Sequence, residues 1–134
     1  MKGASGIDPA VLKQVFSRVA LYLHENQHFK ERGLNRTTLA KLLHTNERYL
    51  TEAVYLFADG KCLSDYIEQL RLEYACELLE ERPEYSIEAI AKESGFGARC
   101  SFYRTFRQYA GCSPGDYRKK KQDLHKNDTS SSHE

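Results

Sequence analysis

Residues 86–117 read SIEAIAKESGFGARCSFYRTFRQYAGCSPGDY, and the fold is decided here. Ile87, Ile90 and Ala91 make one apolar face on a short helix, with Ser86 placed to cap its N-terminus through the hydroxyl. Gly95 follows within a turn of that face, where a side chain would resist a positive φ. A second helix then carries Phe102, Phe106 and Tyr109 at i, i+4 and i+7, and its other side shows Arg99, Tyr103, Arg104 and Arg107. A short helix, a glycine turn and a longer helix with a polar, basic face make the pattern of a helix-turn-helix. In that motif the second helix enters the major groove of DNA.

The pattern recurs earlier in the chain. Asn35, Leu39 and Ala40 stand fifty-one positions before Ser86, Ile90 and Ala91, and Gly60, Asp65 and Tyr66 precede Gly111, Asp116 and Tyr117 by the same interval. Between these anchors the offset slips by one, because Leu50 and Val54 pair best with Phe102 and Phe106. The first copy therefore has the shorter turn and one more residue before its glycine. Two degenerate copies of one helical unit organise the chain.

A chain of 134 residues makes one domain, or two very small ones. No apolar run approaches the ~18 residues of a membrane span, and no charged-then-apolar signal segment opens the chain. Four cysteines lie too far apart for a CxxC pair and no Cys/His zinc spacing occurs, so reduced thiols in the cytoplasm are expected, with no metal or cofactor. The net charge of +1 hides an uneven distribution. Residues 82–121 carry nine Lys/Arg against four Asp/Glu, whereas residues 64–81 carry one against six. A basic second unit beside an acidic helix suits phosphate contact from the former only.

Taken in order, residues 1–7 read as a flexible spacer or cloning remnant, and Asp8 and Pro9 open a helix. Leu12, Val15, Phe16, Val19 and Leu23 make its apolar stripe, to about Phe29. The first helix-turn-helix unit spans residues 35–60, with a short helix at 38–43, a turn at 44–46 and a second helix at 47–58. Residues 63–81 keep i, i+3, i+4 spacing from Leu63 to Leu79, a linker helix of roughly 28 Å at 1.5 Å per residue. That length compares with the ~34 Å of one DNA turn, so two reading heads in successive major grooves are expected. Pro83 ends this helix, the second unit spans residues 86–110, and a terminal helix is predicted at 114–121. Residues 122–134, polar and serine-rich, are expected to be disordered.

The segment IAKESGFGARCSFYRTFRQYAGCSPGDYRK resembles the signature of AraC/XylS-type bacterial transcription regulators. The matching residues are Ile90-Ala91, Gly95-Phe96, Phe102, Arg104, Phe106, Gly111, Pro114 and Tyr117-Arg118. LAKLLHTNERYL and DYIEQLRLEYACELL resemble that family's first unit and linker helix, so the likeness covers about residues 9–120. It implies an all-α, homeodomain-like fold of about seven helices, two helix-turn-helix units and no catalytic activity. It also implies base contacts from Arg48, Thr51, Glu52 and Tyr55 in the first unit and from Arg99, Cys100, Tyr103 and Arg104 in the second. Cys100 and Glu52 depart from the small, amide or basic residues usual there. Implied partners are promoter DNA, RNA polymerase and an effector or dimerisation domain. The chain is then a stand-alone member or the C-terminal end of a larger regulator.

Other patterns carry less. His24 and His28 in HENQH match the zinc-protease H-E-x-x-H, which places two histidines on one helix face, but no third ligand has suitable spacing. They read as solvated residues on a surface helix. Arg71 sits in the apolar stripe of the linker helix and reads as a guanidinium bonding helix-terminal carbonyls or a carboxylate. Arg107 and Lys119 are candidate DNA contacts, although the run at 119–121 serves equally as a solvated face. The rival to a DNA-binding regulator is a helical protein-interaction module with degenerate DNA binding, favoured by the acidic linker helix and Glu52.

Overall fold

Asp8 accepts a hydrogen bond from the Ala10 amide (2.9 Å) and Pro9 takes the first helical position, so helix α1 runs Pro9–His24. The computed structural model describes residues 6–97 and 99–132; the side chains of Arg99 and of residues 125–132 lie outside that description. The other helices are α2 (Arg36–Leu42), α3 (Glu47–Phe57), α4 (Leu63–Glu81), α5 (Ile87–Glu93), α6 (Arg99–Ala110) and α7 (Pro114–Ser132). No strand occurs among the described residues. The chain divides into two compact units, the first ending at Leu70 and the second beginning at Arg71.

Helix α1 stops five residues short of the expected end. A 3-10 segment, Glu25–Lys30, follows it, with Asn26 (φ 53°) and Gln27 (φ 58°) in left-handed conformations. His28 folds back, its Nδ1 2.9 Å from the Tyr22 carbonyl oxygen and its ring stacked on Tyr22 at 4.3 Å. His24 and His28 therefore do not share one helix face, and the zinc-protease arrangement of HENQH is not formed.

In the first unit α1 and α2 both pack against α3, burying Leu12, Val15, Val19 and Leu23 from α1, Leu39 and Ala40 from α2, and Leu50, Ala53 and Val54 from α3. In the second unit Phe102 and Phe106 are fully buried among Leu72, Ala75, Leu78, Leu79, Ile90, Ala91 and Phe96. Burying each such ring is worth about 1.5–3 kcal/mol relative to leaving it in water. Tyr109, which the i+7 spacing assigns to the same apolar side, is 46% exposed. Helix α4 serves each unit with different residues: Leu63, Ile67 and Leu70 are buried in the first, Leu72, Ala75, Leu78 and Leu79 in the second.

The repeat is visible atom by atom. The Asn35 side chain accepts from the Thr38 amide and the Ser86 hydroxyl from the Ala89 amide, both at 3.0 Å. At the end of α2 the Thr45 amide bonds the Ala40 carbonyl (2.9 Å), and at the end of α5 the Phe96 amide bonds the Ala91 carbonyl (3.0 Å). These bonds close around a left-handed residue in each copy, His44 (φ 55°) in one and Gly95 (φ 97°) in the other. The second copy thus uses the residue that tolerates this backbone without strain, and the first uses a histidine.

Helix α7 opens on Ser113, whose hydroxyl accepts from the Asp116 amide (3.1 Å). Arg118 donates through Nε to the Leu79 carbonyl (3.3 Å) and through a terminal nitrogen to the Arg82 carbonyl (3.2 Å), closing the C-terminal end of α4. Tyr117 packs edge-on to Phe106 at 5.6 Å. The helix then continues past Lys121 to Ser132, over residues expected to be disordered; no glycine or proline interrupts residues 116–132. Residues 133 and 134 lie outside the described residues.

Candidate nucleic-acid interface

Phe102 and Phe106 fix the roll of α6, because both are fully buried and lie one turn apart. Arg104 and Arg107 then fall on the outward side, while Tyr103 lies partly against the core. Cys100, Arg104 and Arg107 are exposed and Tyr103 is half-buried. With Gln108 and Ser113 they line an open groove of about 680 Å³. Among the described residues its lining carries two guanidinium groups and no carboxylate, a surface that attracts phosphate and offers planar donors to guanine edges. The Arg99 side chain, a further candidate, lies outside the described residues. Lys119 is exposed on α7 and is not part of this lining.

In the first unit Leu50 and Val54 play the part of the two phenylalanines, each fully buried. The outward residues Arg48, Thr51 and Glu52 line a groove of about 460 Å³ together with Arg36 and Glu47. Tyr55, one turn further along α3, is 62% exposed. The Asn46 side chain caps α3 by accepting from the Tyr49 amide (2.9 Å). This face is balanced in charge, with Arg36 and Arg48 against Glu47 and Glu52. Arg36 Nε lies 3.6 Å from Glu47 Oε1.

Sequence reasoning missed Gln108, Ser113, Arg36 and Glu47. Gln108 follows Arg104 by one turn, and Ser113 is the capping residue before Pro114, so both had a local signal. Arg36 and Glu47 each follow an asparagine cap, Asn35 and Asn46, which sets two helix starts side by side.

The charge run at 119–121 is not uniform. Lys121 approaches Glu80 (4.0 Å) and lies over the Tyr117 ring (5.5 Å), whereas Lys119 and Lys120 are exposed. Behind it, Tyr117 and Cys76 are hydrogen-bonded to one another. Burial pushes the Tyr117 phenol well above its usual range, and the Cys76 thiol adds to that shift. Burial also raises the Cys76 thiol, against an opposing effect of the Tyr117 bond. Both groups stay neutral near pH 7, so this cluster is a packing tie between α4 and α7. No group of metal-ligating side chains occurs among the described residues.

Comparison with known proteins places this geometry. A family model described as a helix-turn-helix domain matches residues 39–120. The uncharacterized transcriptional regulatory protein YesN of Bacillus subtilis is 31% identical over 80 residues, covering 59% of this chain and 22% of that protein. The match thus spans about a fifth of that relative's length. The C-terminal domain of AraT, a response regulator from Geobacillus stearothermophilus, superposes with a TM-score of 0.73 at 27% identity, covering 81% of this chain and 87% of that one. The DNA-binding domain of the global transcriptional factor AdpA, solved in complex with a target DNA, gives a TM-score of 0.69 at 26% identity, covering 84% and 94%.

Proposed function

This chain belongs to the AraC-type helix-turn-helix family, and on that premise we propose that it is a sequence-specific, double-stranded DNA-binding module of a transcription regulator. The observation that carries the reading is the outward face of α6, where Arg104 and Arg107 line one groove on the side of the helix turned away from the buried Phe102–Phe106 pair. A rigid, phosphate-seeking helix face is what major-groove docking requires.

Within this reading Arg99, Tyr103 and Arg104 read base edges in one segment, and Arg48, Thr51, Glu52 and Tyr55 read the adjacent one. Arg107 and Lys119 hold phosphates, as do backbone amides at helix starts. Cys100 offers a weak donor and a small apolar surface, which suits a thymine methyl better than a hydrogen bond. The module works without catalysis, in the cytoplasm. It serves RNA polymerase at a promoter and answers to an effector or dimerisation domain of a longer protein. Support for a larger context comes from the relatives named as regulators, of which this chain spans only a part.

Selection from a random duplex pool is the test. Enrichment of one motif, with binding that weakens steeply as salt rises, is the expected result. A second reading, a helical protein-interaction module, is favoured by Tyr55, Leu56 and Phe57, which are 62%, 45% and 38% exposed at the end of α3. Absence of any salt-dependent retention on heparin or duplex would favour that reading instead.

A further inference from the structure

The two copies differ at the start of the recognition helix. Helix α3 opens on Glu47 and α6 on Arg99; α2 opens on Arg36 and α5 on Ile87, which packs against the second core. In the first copy the paired helix starts present a cation and an anion to each other. The contact is Arg36 Nε to Glu47 Oε1 at 3.6 Å, with the two side chains 59% and 49% exposed. At that distance it is a charge pairing rather than a hydrogen bond, and its exposure screens it. A phosphate seeking a short, charge-assisted contact with the guanidinium has to compete with the carboxylate and is repelled by it. Glu47 meanwhile places its charge at the positive end of the α3 dipole, where a phosphate would otherwise be favoured.

We infer that Arg36 and Glu47 form a specificity-setting pair at the first reading head, in which Glu47 withholds Arg36 from indiscriminate phosphate contact. The inference rests on the DNA-binding reading and deepens it. With Glu47 and Glu52 both lining its groove, the first head gains little from phosphates alone and engages where base contacts make up the difference. The second head, whose groove holds Arg104 and Arg107 and, among the described residues, no carboxylate, attracts any duplex. Glu47 and Arg36 act here as positioning residues for phosphate, and neither needs to touch a base.

The test is a double-mutant cycle on the whole chain: wild type, Glu47→Gln, Arg36→Ala and the double variant, titrated with the selected duplex and with random duplex between 50 and 200 mM salt. Freeing Arg36 for one more phosphate should steepen the log–log salt slope of Glu47→Gln by about 0.9, an extra loss of about 3.5-fold over that salt range. Binding to random duplex should tighten at 50 mM salt and the ratio of selected to random affinity should fall. Both changes should vanish in the double variant. Glu47→Asp, which keeps the charge, should stay near wild type, and this separates the charge effect from fraying of α3. An unchanged slope in Glu47→Gln, or a gain that persists without Arg36, overturns the inference while leaving DNA binding intact. A wild-type chain with no salt-dependent binding to any duplex overturns the DNA-binding reading and this inference with it.

Discussion

Replacing Arg104 by alanine separates reading from folding. The side chain is exposed on α6, opposite the buried Phe102 and Phe106, so truncation removes no core contact. Stability should stay within about 0.5 kcal/mol of wild type, whereas Phe106→Ala should cost about 3–5 kcal/mol. If Arg104 makes a bidentate contact to a base, its loss costs about 1–3 kcal/mol on the selected site, or about 5–150-fold in affinity. Random duplex should lose far less, because no base is being read there. Fluorescence anisotropy at fixed salt measures both affinities, urea unfolding checks the fold, and repeated selection shows which base positions relax. An unchanged motif, or an equal loss on selected and random duplex, would refute the assignment of Arg104 to base reading.

Glu52→Gln should tighten binding to random duplex and blunt preference in the first half-site, since a carboxylate lining that groove repels phosphates and accepts only from cytosine N4 or adenine N6; binding that weakens or stays level on random duplex would show Glu52 facing away from DNA. Gly95→Ala should destabilise the second unit by about 1–2 kcal/mol, because φ is 97° there, while His44→Gly should be neutral or mildly stabilising at φ 55°; urea unfolding reads both. Tyr117 has its folded-state pKa raised above the unfolded value of 10.0, so stability is intact below that pH and is lost as pH rises above it, when the unfolded phenol ionises first. Tyr117→Phe should flatten that alkaline loss in thermal melts taken between pH 8 and 11, and a profile identical to wild type would contradict the burial assigned to this phenol.

Much of the fold was legible because its signals are local and repeated. Asn35 and Ser86 cap through their own side chains, and Leu39-Ala40 and Ile90-Ala91 mark the same buried face fifty-one positions apart. The linker helix was legible from spacing, but not the change of duty along it: Leu72 lies off the stripe from Leu63 to Leu79 and is buried all the same. The break after His24 was hidden because Asn26 and Gln27 adopt positive φ without any glycine to announce it. Tyr109 fits the period of Phe102 and Phe106, yet it falls near the end of α6 and stays exposed. Of the candidate site, the outward face of α6 follows directly once two phenylalanines are assigned to the core. Arg36 and Glu47 did not follow, since their meeting depends on how the turn at residues 43–46 folds α2 against α3. The charge run at 119–121 likewise looked uniform until Lys121 was seen against Glu80 and Tyr117.

Hydroxyl-radical footprinting of the whole chain on its selected site tests tandem reading by the two units most directly. Protection over two adjacent major-groove segments, about 18–20 base pairs in all, is the expected result for one chain. Glu52→Gln and Arg104→Ala should each alter only its own half. A single protected segment of under about 10 base pairs, unaffected by one of those substitutions, would contradict it.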